Sequence, residues 1–328
     1  KTIHNKFYRF FKFVFFLRYL FAIFFVAIVL FLIIPQFFDY KKKEKIISFY
    51  LFENYGLEAK KIGEISYHFF PVPFLKINNF HSNLFSENTN LKTKSVIIYP
   101  KLFSIYNYKN FKVRKIKFED NEIKTSANDL KFLIDKILKI KNKLSFKNLN
   151  LNIEDGDANI INFDKVSFFN YGYKKNDIEG IVFNKKFKLK ISDDFSNLNL
   201  KIFDTGIILY LDIPNRIKDE YYNGSLKGKV LNSNFKLNFL YDENSLKIED
   251  FIFRGKKLSF DSAGVLELNP FFSLNLNSKI INIDFKFLKE LDIEKILNKK
   301  RLIKKLNIEN NLSITSKKFG SSPLKNLN

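Results

Sequence analysis

Tyr19 to Phe38 reads YLFAIFFVAIVLFLIIPQFF, an apolar stretch without a single charged side chain. At about 1.5 Å per residue, a helix of about twenty residues is about 30 Å long, the thickness of a bilayer's hydrocarbon core. A buried helix of a soluble domain rarely runs so long without a polar face. A cleaved signal peptide would carry a shorter apolar region with small residues after it. Here Pro35-Gln36-Phe37-Phe38-Asp39 follows instead. The stretch therefore predicts an uncleaved anchor over 19–38, a basic tail over 1–18 and a β domain over 39–328. Lys1, Lys6, Arg9, Lys12 and Arg18 precede the span, and Lys41, Lys42, Lys43 and Lys45 follow it. The positive-inside bias leans only slightly to a cytoplasmic N-terminus. The lysines after the span are placed to meet anionic headgroups.

Beyond the anchor, apolar and polar residues alternate with a period of two. Phe187 to Ile191, Leu198 to Ile202, Phe235 to Phe239 and Leu274 to Ile280 are such runs. Each puts Leu, Ile or Phe on one face and Lys, Asn or Asp on the other. After Ile280 the phase slips at Ile281 and resumes at Ile283, Phe285 and Phe287, which predicts a β-bulge or bend. Asp155-Gly156, Asn223-Gly224 and Arg254-Gly255 read as turns between runs. Helices are predicted over 43–55, ended by Gly56, over 127–140, capped by Ser126 with Asp129, and over 287–299. The expected fold is mostly β with a few helices, built on a long antiparallel sheet with one apolar face. Leu198, Leu200, Ile202, Phe235, Leu237, Phe239, Leu274 and Leu276 lie on that face. Periodicity leaves its covering open: a closed sandwich or barrel with a packed core, or an open curved sheet lining a groove.

The formal net charge of +22 raises the question of nucleic acid. The lysines, however, are spread along the chain and alternate with apolar residues, and few arginines accompany them. A nucleic-acid binder concentrates its charge and uses arginine for bidentate contacts. No nucleic-acid partner is expected. With no cysteine and only 3 histidines in dissimilar segments, no zinc site or thiolate nucleophile is expected either. Gly224-Ser225-Leu226-Lys227-Gly228-Lys229 is shorter than a P-loop, lacks its final Ser or Thr, and reads as a hairpin. Glu154-Asp155-Gly156-Asp157 lacks the distal glutamate of a calcium loop and reads as a surface turn. The sequence shows no sign of an enzyme or of a cofactor.

Tyr55-Gly56-Leu57-Glu58-Ala59-Lys60-Lys61-Ile62-Gly63-Glu64-Ile65-Ser66, continuing into Phe69-Phe70-Pro71-Val72-Pro73-Phe74-Leu75, resembles the N-terminal signature of the AsmA family. That signature follows a single transmembrane helix. Gly56, Gly63, Phe70, Pro71, Pro73 and Leu75 fall on its positions. The two prolines fix φ and remove donors, which forces an extended break between strands. Pro100 to Ser104 with Phe111 to Ile116 resembles the family's next hairpin, and Leu144 to Asp155 its recurrent strand. The resemblance implies a protein anchored in the inner membrane of a Gram-negative bacterium, N-terminus cytoplasmic and main domain periplasmic. It further implies a curved sheet with an apolar groove, as in bridge-type lipid transfer proteins. Outer-membrane biogenesis, phospholipid as ligand and other envelope proteins as partners follow from the same resemblance. Members are often longer, so a missing C-terminal part is expected.

Overall fold

The computed structural model describes residues 2–155, 158–213, 216–217, 221–230, 232–242, 244–267, 272–284 and 306–314. Its contacts group into two compact units, Lys1–Lys175 and Asn176–Asn328. Three α-helices occur among the described residues, all in the first unit: α1 Thr2–Ile33, α2 Glu44–Tyr55 and α3 Ala127–Lys139. The predicted helix over 287–299 lies outside the described residues, as do Phe285 and Phe287.

α1 and the turn after it are long and apolar enough over Lys12–Phe37 to cross a membrane, and Pro35 is the one residue of that span buried in the protein. The basic segment predicted as a tail belongs to the same helix from Thr2 onward. A 3-10 turn, Ile34–Phe37, closes α1 at Pro35, because proline has no N–H with which to continue the ladder. α2 ends where expected: Gly56 adopts φ 65° and its N–H returns to the carbonyls of Leu51 and Phe52. In α3 the Ser126 hydroxyl accepts from the Asp129 N–H, which makes a side-chain cap.

The first unit contains β1 Leu57–Lys61, β2 Ile65–His68, β3 Phe74–Leu84, β4 Ser86–Pro100, β5 Val113–Ser126, β6 Leu144–Asp155 and β7 Ala158–Phe169. β1 and β2 both pair with β3, and the ladder continues through β4, β5, β6 and β7. Its apolar face is sealed. Leu75, Ile77, Phe80, Val96, Ile116 and Phe118 have no solvent exposure, and neither do Ile47 and Leu51 of α2. A line of irregular residues crosses this sheet. Asn79, Asp120, Asn148 and Lys165 all have positive φ, and Asn79, Lys94, Asp120 and Asn148 drop out of the ladder at one level. Apolar spacing widens from two to three at this crease, as in Ile77/Phe80, Phe146/Leu149 and Phe163/Val166, which keeps the same face apolar on both sides of a bend.

The second unit contains β8 Asp177–Val182, β9 Lys185–Ile191, β10 Asn197–Ile202, β11 Ile207–Asp212, β12 Arg216–Ile217, β13 Tyr221–Val230, β14 Ser233–Tyr241, β15 Ser245–Arg254, β16 Leu258–Glu267, β17 Phe272–Ile283 and β18 Leu306–Ile314. β8 to β11 and β13 to β18 form one ladder, with β12 a short addition to β13.

Three expectations are corrected. The sheet is mixed and not antiparallel throughout, because β5–β6 and β17–β18 are parallel. α3 returns the chain to the start of β6, and such a crossover is what parallel pairing requires. The sheet does not close into a barrel: among the described residues no pairing joins the first and last strands of either ladder. Finally, Asn223-Gly224 is no turn, and Gly224 to Lys229 is no hairpin. Both lie inside β13, paired along their length with β14. A Cβ on Gly224 would come within 2.4 Å of the Phe239 ring, so this glycine makes room for an aromatic across the strand. The Arg254-Gly255 turn and the bulge at Ile281 occur as expected, with Ser259 facing Asn282 and Phe260 facing Ile280. The turn expected at Asp155-Gly156 rests on residues outside the described set.

Candidate functional site

Directly opposed residues of neighbouring strands share a face, so the register alone assembles the predicted apolar residues. Ile191, Leu198, Leu211, Leu226, Leu237 and Phe251 follow one another across six strands. Beside them runs a second row: Leu189, Leu200, Leu209, Gly228, Phe235, Phe253, Phe260 and Ile280. Phe187 and Ile202 pair on one flank of these rows. Phe239, Ile248, Gly264 and Leu276 form a row on the other, and Leu246, Leu266 and Leu274 the next. All eight apolar positions predicted from sequence, Leu198, Leu200, Ile202, Phe235, Leu237, Phe239, Leu274 and Leu276, therefore lie on one continuous surface.

Two irregularities hold that surface together. β15 carries Glu249-Asp250 as a bulge between Ile248 and Phe251, which re-phases the strand so that both remain apolar-side. Where polar residues enter the face, at Ser262 and Ser278, their hydroxyls bond each other at 2.6 Å. Aromatic contacts thicken its middle: Phe251 meets Phe235 and Phe260 edge-on, and Phe253 stacks on Phe260 at 5.2 Å.

Its exposure separates this face from the first unit's. Leu198, Leu200, Ile202, Phe235, Leu237, Leu274 and Leu276 are only half-buried, and Phe239 alone of the eight is buried. Among the described residues of the second unit no helix covers them. The opposite face is basic and polar. Lys188 stands across from Lys201, and Lys227 across from Lys236. Asp177 at 3.1 Å and Glu179 at 2.5 Å hold the Lys188 ammonium and push its pKa up by hydrogen bonding to the charged form.

The other predicted residues sit in the first unit. Gly63 lies where a Cβ would come within 2.0 Å of the Asn78 carbonyl, so two backbones meet there. Gly56 meets the Phe85 ring and accepts the Phe85 N–H at 2.9 Å. Pro71 and Pro73 fill the break between β2 and β3, Leu75 is fully buried and Phe70 is exposed. Lys41, Lys42 and Lys45 are exposed beside the end of α1, whereas the Lys43 ammonium lies 5.0 Å above the Tyr108 ring. An open cleft of about 700 Å³ lies between α2 and α3, lined by Phe52, Phe132, Lys136 and Glu87 among others.

Sequence reasoning had missed Leu209, Leu211, Leu226, Phe251, Phe253 and Phe260 as members of the same face. Their alternation was visible, but only the register shows which of their faces meets Leu200 and Phe235. Comparison with models of known families, with curated proteins and with solved structures gave no match.

Proposed function

We propose that this chain is a non-enzymatic, membrane-anchored envelope protein that binds phospholipid through the apolar face of β9–β17. The observation that carries the reading is that face itself: rows of Leu, Ile and Phe, interrupted only by Gly228, Gly264 and the Ser262–Ser278 pair, mostly half-exposed and backed by a basic and polar face. Each acyl methylene laid on such a surface contributes about 0.8 kcal/mol, so affinity needs no specific polar site. The rows run across the strands, which matches an acyl chain lying over successive strands with its headgroup in water. α1 supplies the anchor, and the resemblance to the AsmA family supplies the setting. In that setting the N-terminus is cytoplasmic, the β units are periplasmic, and phospholipid moves towards the outer membrane during its biogenesis. Exposed Lys41, Lys42 and Lys45 then meet anionic headgroups at the anchor's end.

Site-specific photo-crosslinking in cells tests this directly. A benzophenone amino acid at Leu237 should capture phospholipid, and the same probe at the neighbouring Lys236, on the opposite face, should not. Equal capture at both positions, or none at Leu237, would refute the proposal. A scaffold that only meets partner proteins would give protein adducts at Lys236 and no lipid at Leu237.

A further inference from the structure

We propose that the first unit does not hang from its anchor but sits within the bilayer surface, with Phe103 and Phe70 inserted among lipid acyl chains beside α1. The inference rests on the reading of α1 as a membrane span.

The last carbonyls of a helix have no intrahelical partner. At the end of α1 those partners come from the folded unit. The Tyr67 hydroxyl of β2 donates to the Leu32 carbonyl at 2.8 Å, and the Tyr106 hydroxyl donates to the Phe31 carbonyl. The Tyr40 hydroxyl donates to the Pro35 carbonyl at 2.6 Å. Rings follow the hydroxyls. Tyr106 stacks on Phe31 at 4.7 Å and meets Phe38 edge-on at 5.6 Å, while Phe103 lies 5.8 Å from Phe31. The unit thus grips the apolar helix along its final turns, not only at its last residue.

That grip sets a depth. Tyr19 to Leu30, the charge-free stretch before Phe31, is about twelve residues and about 18 Å long, against the about 30 Å of hydrocarbon it must cross. The turns from Phe31 to Phe38 therefore lie within the membrane, and so does whatever packs on Phe31. The side chains at that level suit lipid. Phe103 is 79% exposed and Phe70, in the break after β2, is 79% exposed. Phe37 is exposed at the end of the apolar segment, and β2 lies against Ile34–Phe37. Lys41 and Lys42 follow at headgroup height.

The chain contains no tryptophan, so single substitutions act as reporters. Full-length F103W, F70W, F24W and E87W variants would be reconstituted in phosphatidylcholine vesicles with and without brominated acyl chains. Phe24 lies within α1, and Glu87 is exposed at the start of β4, beside the far end of β3 and about 30 Å along that strand. Bromolipid should remove most of the emission of F24W, F103W and F70W and leave E87W unchanged. If F24W is quenched while F103W behaves like E87W, the inserted patch is refuted and the anchor stands. If F24W is not quenched, the anchor reading fails, and this inference fails with it.

Discussion

Replacing Leu237 by aspartate places a carboxylate in the middle of a row, opposite Leu226 on one side and Phe251 on the other. A fully buried leucine side chain is worth about 1.5–3 kcal/mol, and Leu237 is half-buried, so the cost to folding should be about 1 kcal/mol. Water reaches the position, so the charge is not stranded. Binding should suffer more. If the hydrated carboxylate keeps about four acyl methylenes off the face, the loss is about 3 kcal/mol, a Kd about 150-fold weaker. The contrast is Leu75→Asp in the first unit, where exposure is 0% and a charge would be buried unpaired, at several kcal/mol. The assay is titration of the full-length chain, held in amphipol, with a pyrene-labelled phospholipid, alongside denaturation followed by circular dichroism. A Leu237→Asp protein that unfolds as Leu75→Asp does would mean that the face is sealed. One that folds and binds as tightly as the wild type would mean that lipid lies elsewhere.

Gly63→Ala sets a Cβ within 2.0 Å of the Asn78 carbonyl, and backbone cannot swing aside as a side chain can. A loss of at least about 2 kcal/mol is expected in chemical denaturation, and a neutral effect would refute the close approach. Burial pushes the Tyr108 hydroxyl up to about 12 and raises that of Tyr55, against an ordinary value of about 10. The folded state therefore holds these protons after the unfolded chain has released its own. Stability should be flat with respect to these groups below about pH 9 and fall as pH climbs from about 10 to 12. The Tyr55 hydroxyl has no hydrogen-bond partner among the described residues, so Tyr55→Phe should keep or gain stability at pH 7 and lose less of it at high pH. An unchanged alkaline slope in thermal melts of that variant would count against the argument.

Local chemistry made several elements legible in advance. Gly56 ends α2, Ser126 caps α3, and the step in phase at Ile281 marks a bulge, each because a short-range rule acts on neighbouring residues. The strands β9, β10 and β14 followed from alternation. Gly224 misled, because an Asn-Gly pair in isolation favours a turn. What outweighs that preference is Phe239, a residue far along the chain whose ring needs the space. The crease at Asn79, Asp120, Asn148 and Lys165 was overlooked for a related reason. A single spacing of three reads as noise in one strand, and its meaning appears only when adjacent strands break at one level.

The sequence by itself determined that a charge-free apolar helix precedes a chain of period-two strands, and that those strands have one apolar face. Both are properties of hydrophobic periodicity, which needs no partner to be read. Only the tertiary structure decided how that face is used. In the first unit it is sealed, with α2 and its neighbours contributing residues of no solvent exposure, while in the second the described strands leave it half-exposed. The physical reason is that alternation states which side chains avoid water but not what covers them. That depends on contacts between residues distant in the chain, here the Tyr67 and Tyr106 hydroxyls on α1, the return of α3 onto the sheet, and the register that lines Leu198 up with Phe251.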